Sequence, residues 1–407
     1  MNTLLLALIR ALRSHRWLRF LGCAYILSSL GNGLTQIIIF GQLLHWQASP
    51  ATLTIVYMLS MLPSFIGSLW GEVLCRTVSP LRILICTEIL GLLALIFPWY
   101  GLLHHNVPAL LAVQCWEALF TGMSYPALTL LFKRGLRHEE LPAATAMETI
   151  IFASQVIFGT GLGVLLFDRV SILNLLAIDA LSFAASVAML LASGSVFQVA
   201  RLQPEKAPPV SQKLLWRCLS PVQKRSILLL PALAAVGSPA MALLPALAQE
   251  IRPEDSAELA LPLILARSLG QLCGPLILNA DKLQRYAANN WLLMLCLGGY
   301  IGSYCLLPLS TGFTFVGLAL IFSAHMASNI VFALGSFGVL KNFAETQVAK
   351  ASAITWRGQV LTAAASTGIT SVIAQKFGAI TALYTISILS LTVVGALLWF
   401  NGPRKTS

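Results

Sequence analysis

Apolar runs long enough to cross a bilayer recur along this 407-residue chain, and nothing else in the sequence constrains the fold as strongly. Twelve are readable, at about 18–44, 51–74, 82–103, 107–131, 142–167, 171–192, 226–248, 259–280, 289–308, 312–336, 351–375 and 378–400. A hydrocarbon core of about 30 Å takes roughly 20 helical residues. Lipid offers the backbone no partner, so each segment must satisfy its own hydrogen bonds. The pattern predicts an all-α integral membrane protein with twelve transmembrane helices. Composition agrees, because only 10% of residues are charged and the mean hydropathy is +0.81, where soluble domains carry about 25% charged residues. The short turns and tails left over leave no room for a soluble catalytic domain.

Charge orients this map, since Lys and Arg gather in cytoplasmic loops. With the N-terminus inside, 21 of the 26 cations fall in inner segments; only Arg169, Arg252 and Lys376 lie outside, and Arg267 and Arg357 fall within spans. Both termini are therefore expected in the cytoplasm. The net charge of +11 follows from this bias and calls for no nucleic-acid partner. Residues 1–16 place Leu5, Ile9 and Leu12 on one helical face away from Arg10 and Arg13, the pattern of an interfacial helix. The eight cysteines lack CxxC spacing and are expected as free, buried thiols. His104 and His105, in an outer turn, read as solvated loop residues with no metal.

Between the sixth and seventh spans the composition turns polar, basic and proline-bearing over 193–225. The expected organisation is an N-terminal six-helix bundle at 1–192, a cytoplasmic linker at 193–225 with a short amphipathic helix around Val210 to Leu219, and a C-terminal bundle at 226–407. Such pseudo-symmetric halves place substrate near the midplane. Two inner turns echo one another, "GEVLCRTVSPLR" (Gly71–Arg82) and "NADKLQR" (Asn279–Arg285). Gly71, Arg76, Asp281, Lys282 and Arg285 are candidate gate residues there, with an ordinary positively biased turn as the alternative. "GTGLG" at 159–163 has the spacing of a phosphate loop but follows a helix, not a strand. Gly159 and Gly163 share a helical face and suit close helix packing.

Ionisable side chains inside a span are costly enough to be functional candidates. Glu88, Glu117, Glu148 and Asp179 lie in the first half; Arg267, His325 and Arg357 lie in the second. Glu117, Glu148 and Asp179 are the proton-coupling candidates, through a carboxylate paired to an arginine across a central cavity, while Glu88 is expected to snorkel or cap a turn. For Asp179 a structural hydrogen bond is an equal reading. Asn32, Gln36, Arg267, His325, Asn329, Trp356 and Arg357 are the cavity candidates. The arginines would suit an anionic ligand and Trp356 would stack on a ring; permanent ion pairs and helix-to-helix hydrogen bonds are the alternatives.

Several stretches together resemble the major facilitator superfamily, in the branch that includes the enterobactin exporter and macrolide efflux proteins. They are "SSLGNGLTQ" (Ser28–Gln36), "LRHEELPAATAMETI" (Leu136–Ile150), "DALSFAAS" (Asp179–Ser186) and "ALLPALAQE" (Ala242–Glu250). The resemblance implies two six-helix bundles, alternating access and a packing motif at Gly159. It also marks departures. Asn32 stands where relatives usually have aspartate, Cys75 where the inner turn usually has one, and Thr160 and Val164 replace a usual proline and glycine. Asp281 keeps the second turn closer to the family form.

The sequence thus predicts no enzyme and no cofactor, with a proton gradient as the energy source. The expected activity is export of a small organic molecule, a siderophore or similar anionic metabolite, by a monomer in the lipid bilayer. Multidrug efflux, import of a siderophore or lysophospholipid, and a non-transporting receptor on the same scaffold are the alternatives.

Overall fold

The computed structural model describes residues 2–46, 59–167, 169–201, 214, 216–251, 256–310 and 313–400. Regular structure among them is helical, apart from one antiparallel bridge between Thr3 and Asn279. The first half contains α1 (Leu4–Ser14), α2 (Arg16–His45), α3 (Pro63–Leu74), α4 (Pro80–Ala94), α5 (Ile96–Leu103), α6 (Val107–Gly135), α7 (Leu141–Ser154), a π-helical turn Gln155–Thr160, α8 (Gly161–Phe167) and α9 (Ile172–Arg201). The second contains α10 (Pro221–Ile251), α11 (Ser256–Leu276), α12 (Leu283–Ala288), α13 (Asn290–Leu306), α14 (Thr314–Asn342), α15 (Glu345–Phe377) and α16 (Ala379–Phe400). Seven helical stretches among the described residues are individually long and apolar enough to cross a membrane. The third span is broken at Leu95 into α4 and α5, and the fifth is interrupted by the π-helical turn.

Helix ends follow their local chemistry. Asn106 accepts from the Ala109 amide (2.9 Å) and Asn289 from the Leu292 amide (3.2 Å), capping α6 and α13. Glu250, in the "ALLPALAQE" stretch, accepts from the Ala379 amide at 2.6 Å and the Ile380 amide at 3.3 Å, placing a carboxylate on the first free donors of α16. Gly378, at φ +85°, makes the left-handed turn just before that helix.

The chain forms two compact units. One comprises residues 8–213 and 344–357; its core joins Ile38, Leu43, Leu110, Val113, Leu175 and Phe183, with α2 packed along α9 and α3 along α6. The other comprises residues 1–7, 214–343 and 358–407; there α14 packs against α10, α11 and α13 around Tyr300, Tyr304, Leu263 and Ile321. Helix α15 therefore contributes its first residues to one unit and its remainder to the other.

Two local expectations change, at α9 and at the cysteines. The N-terminal helix has Leu4, Leu8 and Ala11 buried against the protein and the apolar Leu5, Leu6 and Ile9 exposed. Its leading residues are held within their unit: the Leu4 amide donates to Leu278 O (2.8 Å), the Ala280 amide to Asn2 O (2.7 Å), and Asn2 Nδ2 to Asp281 Oδ1 (2.9 Å). Helix α9 runs on to Arg201, past the expected end of the span at 192. The physical reason is packing, since buried Ser193 donates to Trp17 O (3.0 Å) and Phe197 meets Trp17 edge-on at 5.0 Å. Of the linker, 202–213 and 215 lie outside the described residues, as does most of the short helix expected around Val210; Trp216–Cys218 form a 3-10 turn. The cysteines are all free, yet Cys23, Cys86 and Cys218 are exposed and only Cys296 is fully buried.

Gly159 lies in the π-helical turn with its backbone directly against Gly33 of α2, while Gly163 faces Ile37. A side chain on either Gly33 or Gly159 would strike the facing backbone, whereas one at Gly298 of α13 would meet nothing within 4 Å. Gly33→Leu should therefore destabilise the protein by about 1–3 kcal/mol or prevent folding, and Gly298→Ala should not, as read from thermal unfolding in detergent.

The turn before α7 gives a pH prediction. Glu140 lies 3.0 Å from His15 Nε2 and accepts from the Arg137 amide at 3.0 Å. Partial burial works against its charge, but those hydrogen bonds and the charges of His15 and Arg137 outweigh it and hold the carboxyl below its ordinary value of 4.5. A lowered folded value adds stability above the unfolded value that is lost as pH falls through the folded one. Glu140→Gln should cost up to about 1 kcal/mol at neutral pH, and the gap to the parent should close on acidification below about pH 4.

Candidate functional site

Three membrane-embedded carboxylates of the first unit sit on three helices, Glu88 on α4, Glu117 on α6 and Asp179 on α9. Asp179, fully buried, is bound by the Thr35 hydroxyl of α2 and by Ser182 Oγ at 3.3 Å, and Gly31 lies against it. It thereby joins α2 to α9. Its place near the inner end predicts that Glu88 snorkels or caps a turn, but it does neither: it is 7% exposed and accepts from Ser28 Oγ at 3.1 Å. Helix α4 turns it inward toward α2, where hydroxyls replace water. Glu117 Oε2 accepts from Gln114 at 3.3 Å, while its Oε1 is buried with no hydrogen-bond partner. Both Glu88 and Glu117 lie within electrostatic reach of Asp179. Ser124 bonds Thr87 at 2.8 Å, and of the cavity candidates on α2, Asn32 Oδ1 is buried without a partner and Gln36 is half-buried. Glu148 is buried on α7.

The arginine expected to meet one of these acids does not. Arg357 Nη2 bonds Glu72 Oε2 of α3 at 2.9 Å, and Glu72 Oε1 takes Arg76 Nη2 at 3.0 Å. The Glu72 and Arg357 side chains are only 10% and 14% exposed. Trp356, instead of awaiting a ligand ring, donates Nε1 to Ser64 Oγ (3.1 Å) and packs at a tilt against Tyr125, with ring centroids 4.6 Å apart. Glu345, at the start of α15, pairs with Arg134 at 2.6 Å. The reason is reach: residues 344–357 of α15 belong to the unit of α3 and α6, so their long side chains end on those helices. Gly71, one residue before Glu72, lies against Met123 and Pro126 of α6. Cys75 does not replace the missing aspartate, because burial, against the pull of Arg134, pushes its thiol up to about 12 and keeps it neutral.

In the second unit Arg267 of α11 has Tyr304 and His325 within electrostatic reach. The Tyr304 hydroxyl and His325 Nε2 are 2.8 Å apart, Tyr300 packs edge-on to His325 at 5.4 Å, and Tyr300 donates to Gly237 O at 2.9 Å. Asn329 Nδ2 donates to His325 O at 3.1 Å, an intrahelical bond. Arg267 Nε, Gln271 Oε1 and His325 Nδ1 are buried without hydrogen-bond partners, and among the described residues Arg267 makes no ion pair. Asp281 is held by Asn2, while Lys282 and Arg285 are exposed on the same turn.

Glu72, Gln114, Thr35, Gln271 and Tyr304 were not singled out in the sequence. Glu72 carried a signal, an acid one turn before Arg76 at a span's inner end; Thr35 and Tyr304 are ordinary polar residues whose partners lie far away in the chain, Gln114 has its partner one turn along, and Gln271 Oε1 is buried without one. Removing the donor to Asp179 tests the buried network. Thr35→Val should cost about 1–3 kcal/mol by leaving an acceptor unsatisfied, measured by thermal unfolding beside Thr362→Val, whose hydroxyl donates only to backbone carbonyls.

Comparison with known proteins places this geometry. A 74-residue stretch, 18% of the chain, is 61% identical to an uncharacterized 29.9 kDa protein in the crtE 3' region of Pseudescherichia vulneris, of which it spans 27%. Solved structures share the fold at low identity. A bacterial homologue of the iron transporter ferroportin superposes with TM-score 0.72 at 14% identity, covering 94% of this chain and 98% of that one. The human organic anion transporter TETRAN gives 0.69 at 15% (93% and 99%), and the E. coli fucose:proton symporter FucP 0.65 at 15% (95% and 98%). The family model of the Major Facilitator Superfamily matches residues 21–355, and with its twelve-helix fold this multi-pass membrane chain belongs to that superfamily of transporters.

Proposed function

We propose that the chain is a proton-coupled exporter of a small anionic organic molecule, of which a carboxylate-rich siderophore is the first candidate, working from the bacterial inner membrane by alternating access. The observation that carries this reading is that Glu117 Oε1 in one unit and Arg267 Nε in the other are buried without hydrogen-bond partners, and that neither side chain makes an ion pair among the described residues. A lone charge in an apolar interior is costly. Glu117 can relieve that cost by taking a proton. Arg267 cannot lose one, so its counter-charge must arrive from outside, and an anionic substrate supplies it. Tyr304 and His325 lie within electrostatic reach of Arg267, and Gln271 is one turn from it on α11.

Glu72 then acts as a latch. It holds Arg76 and Arg357 together, and breaking the longer-range bond frees the first turns of α15 from α3. A displaced pair of low exposure must be resolvated or reformed, which makes the step sensitive to loss of either member.

Reconstitution into proteoliposomes tests both parts. Arg267→Gln should lower transport of an anionic siderophore by about tenfold or more, the equivalent of about 1.4 kcal/mol, mainly through KM. Glu117→Gln should leave exchange intact while abolishing stimulation by a pH gradient. Glu72→Gln and Arg357→Gln should each slow net transport, and Glu72→Arg combined with Arg357→Glu should recover part of it. Unchanged KM in Arg267→Gln together with gradient-driven transport in Glu117→Gln would overturn the proposal.

A further inference from the structure

The unit containing residues 214–343 holds a cleft that the transport reading does not use. It lies between the start of α10, the short α12 and the end of α14, where Lys341 closes one side. Arg225 forms part of the wall and is 6% exposed. Its Nε donates to Ala287 O at 2.8 Å and its Nη1 to Asn290 Oδ1, but Nη2 is buried and has no hydrogen-bond partner. A guanidinium offers five N–H donors in one plane, so the protein engages part of this fork and leaves Nη2 unused in a side chain that lines the cleft.

No carboxylate answers it. Among the described residues neither Arg225 nor Lys341 makes an ion pair, and the other polar groups on the wall, from Ser226, Gln284 and Asn342, are uncharged. The rest of the lining is hydrocarbon, from Leu229, Leu334 and Phe337, and Val222 at the rim is exposed. Two unanswered cations beside an apolar wall complement one kind of ligand, an anionic head joined to a hydrocarbon chain. Planar N–H donors favour phosphate oxygens, and basic recesses between membrane helices suit anionic lipid heads.

We propose that this cleft binds an anionic phospholipid, with its phosphate on Arg225 Nη2 and the Lys341 amine and its chain along Leu229, Leu334 and Phe337. The site is independent of which solute the protein moves and in which direction. It makes a lipid a resident component of the second unit, clasping α10 to α14 beside the bonds from Asn342 to Ser226 (2.9 Å) and from Gln223 to Asn342 O (3.1 Å).

The test uses the purified full chain in a non-ionic detergent, with lipid retention read by native mass spectrometry and stability by thermal unfolding. The probes are phosphatidylglycerol, zwitterionic phosphatidylcholine and inorganic phosphate. Phosphatidylglycerol should be retained preferentially and should raise the melting temperature. Lys341→Gln should reduce retention by about fivefold, the worth of one cation near a lipid head. Ala288→Trp, which fills the cleft without removing an Arg225 hydrogen bond, should reduce it similarly, and both variants should melt like the parent in the absence of lipid. Arg225→Gln should abolish retention but also cost stability, since it loses the bonds to Ala287 and Asn290. Equal retention of the two lipids, or undiminished retention in both Lys341→Gln and Ala288→Trp, would overturn the site. Full stabilisation by inorganic phosphate, with nothing added by the chain-bearing lipid, would overturn the lipid and assign the cleft to a soluble phosphate.

Discussion

Lipid cannot hydrogen-bond, and every other feature of this protein follows from that. Backbone donors and acceptors must be spent within each helix, which leaves side chains as the only polar means of joining one helix to another. The protein uses few of them. Thr35 and Ser182 hold Asp179, Ser28 holds Glu88, Thr87 and Ser124 hold each other, and Tyr304 meets His325. Elsewhere helices approach through glycines, among them Gly33 and Gly159, where two backbones touch. The π-helical turn at Gln155–Thr160 lies at this contact. Such turns are single-turn departures within α-helices and gather at functional sites.

Against that background the few unanswered charges stand apart. Asp179 is well furnished with donors and reads as a joint between α2 and α9 as much as a titrating site. Glu117 keeps one oxygen without a partner, and Arg267 keeps a nitrogen. Position 32, where the resemblance implies an aspartate, is an asparagine, and Asp179 sits against neighbouring Gly31. The inner turn is alike. Cys75 carries no charge, but Glu72, one residue past Gly71 and one turn before Arg76, binds two arginines at once. In both places an acidic group is present at a different chain position and projects from a neighbouring turn or helix.

The division of the chain into units adds a mechanical point. Residues 344–357 precede most of α15 in sequence but belong with residues 8–213, and residues 1–7 belong with residues 214–343. In the first case the attachment is made by long side chains, Glu345 to Arg134, Trp356 to Ser64 and Arg357 to Glu72. In the second it is made by backbone pairing of Asn2 and Leu4 with Leu278 and Ala280. Side-chain bonds can be exchanged one at a time without unravelling a helix, which suits a transporter that must reset; a backbone pairing is a more permanent tie.

Sequence alone determined what depends on composition and period. Hydrophobic length set the helices, the surrounding lipid made them obligatory, and the scarcity of charge singled out Glu88, Glu117, Glu148, Asp179, Arg267, His325 and Arg357. Residue spacing along one helix was also legible, as with Gly159 and Gly163. Only the tertiary structure decided partners, because a side chain's neighbours across a bundle are set by helix rotation and crossing, which no local pattern encodes. That is why Glu88, expected to snorkel or cap a turn, is instead buried on Ser28, why Arg357 meets Glu72 instead of a mid-membrane acid, and why α9 outruns its apolar stretch where Ser193 and Phe197 have Trp17 to pack on.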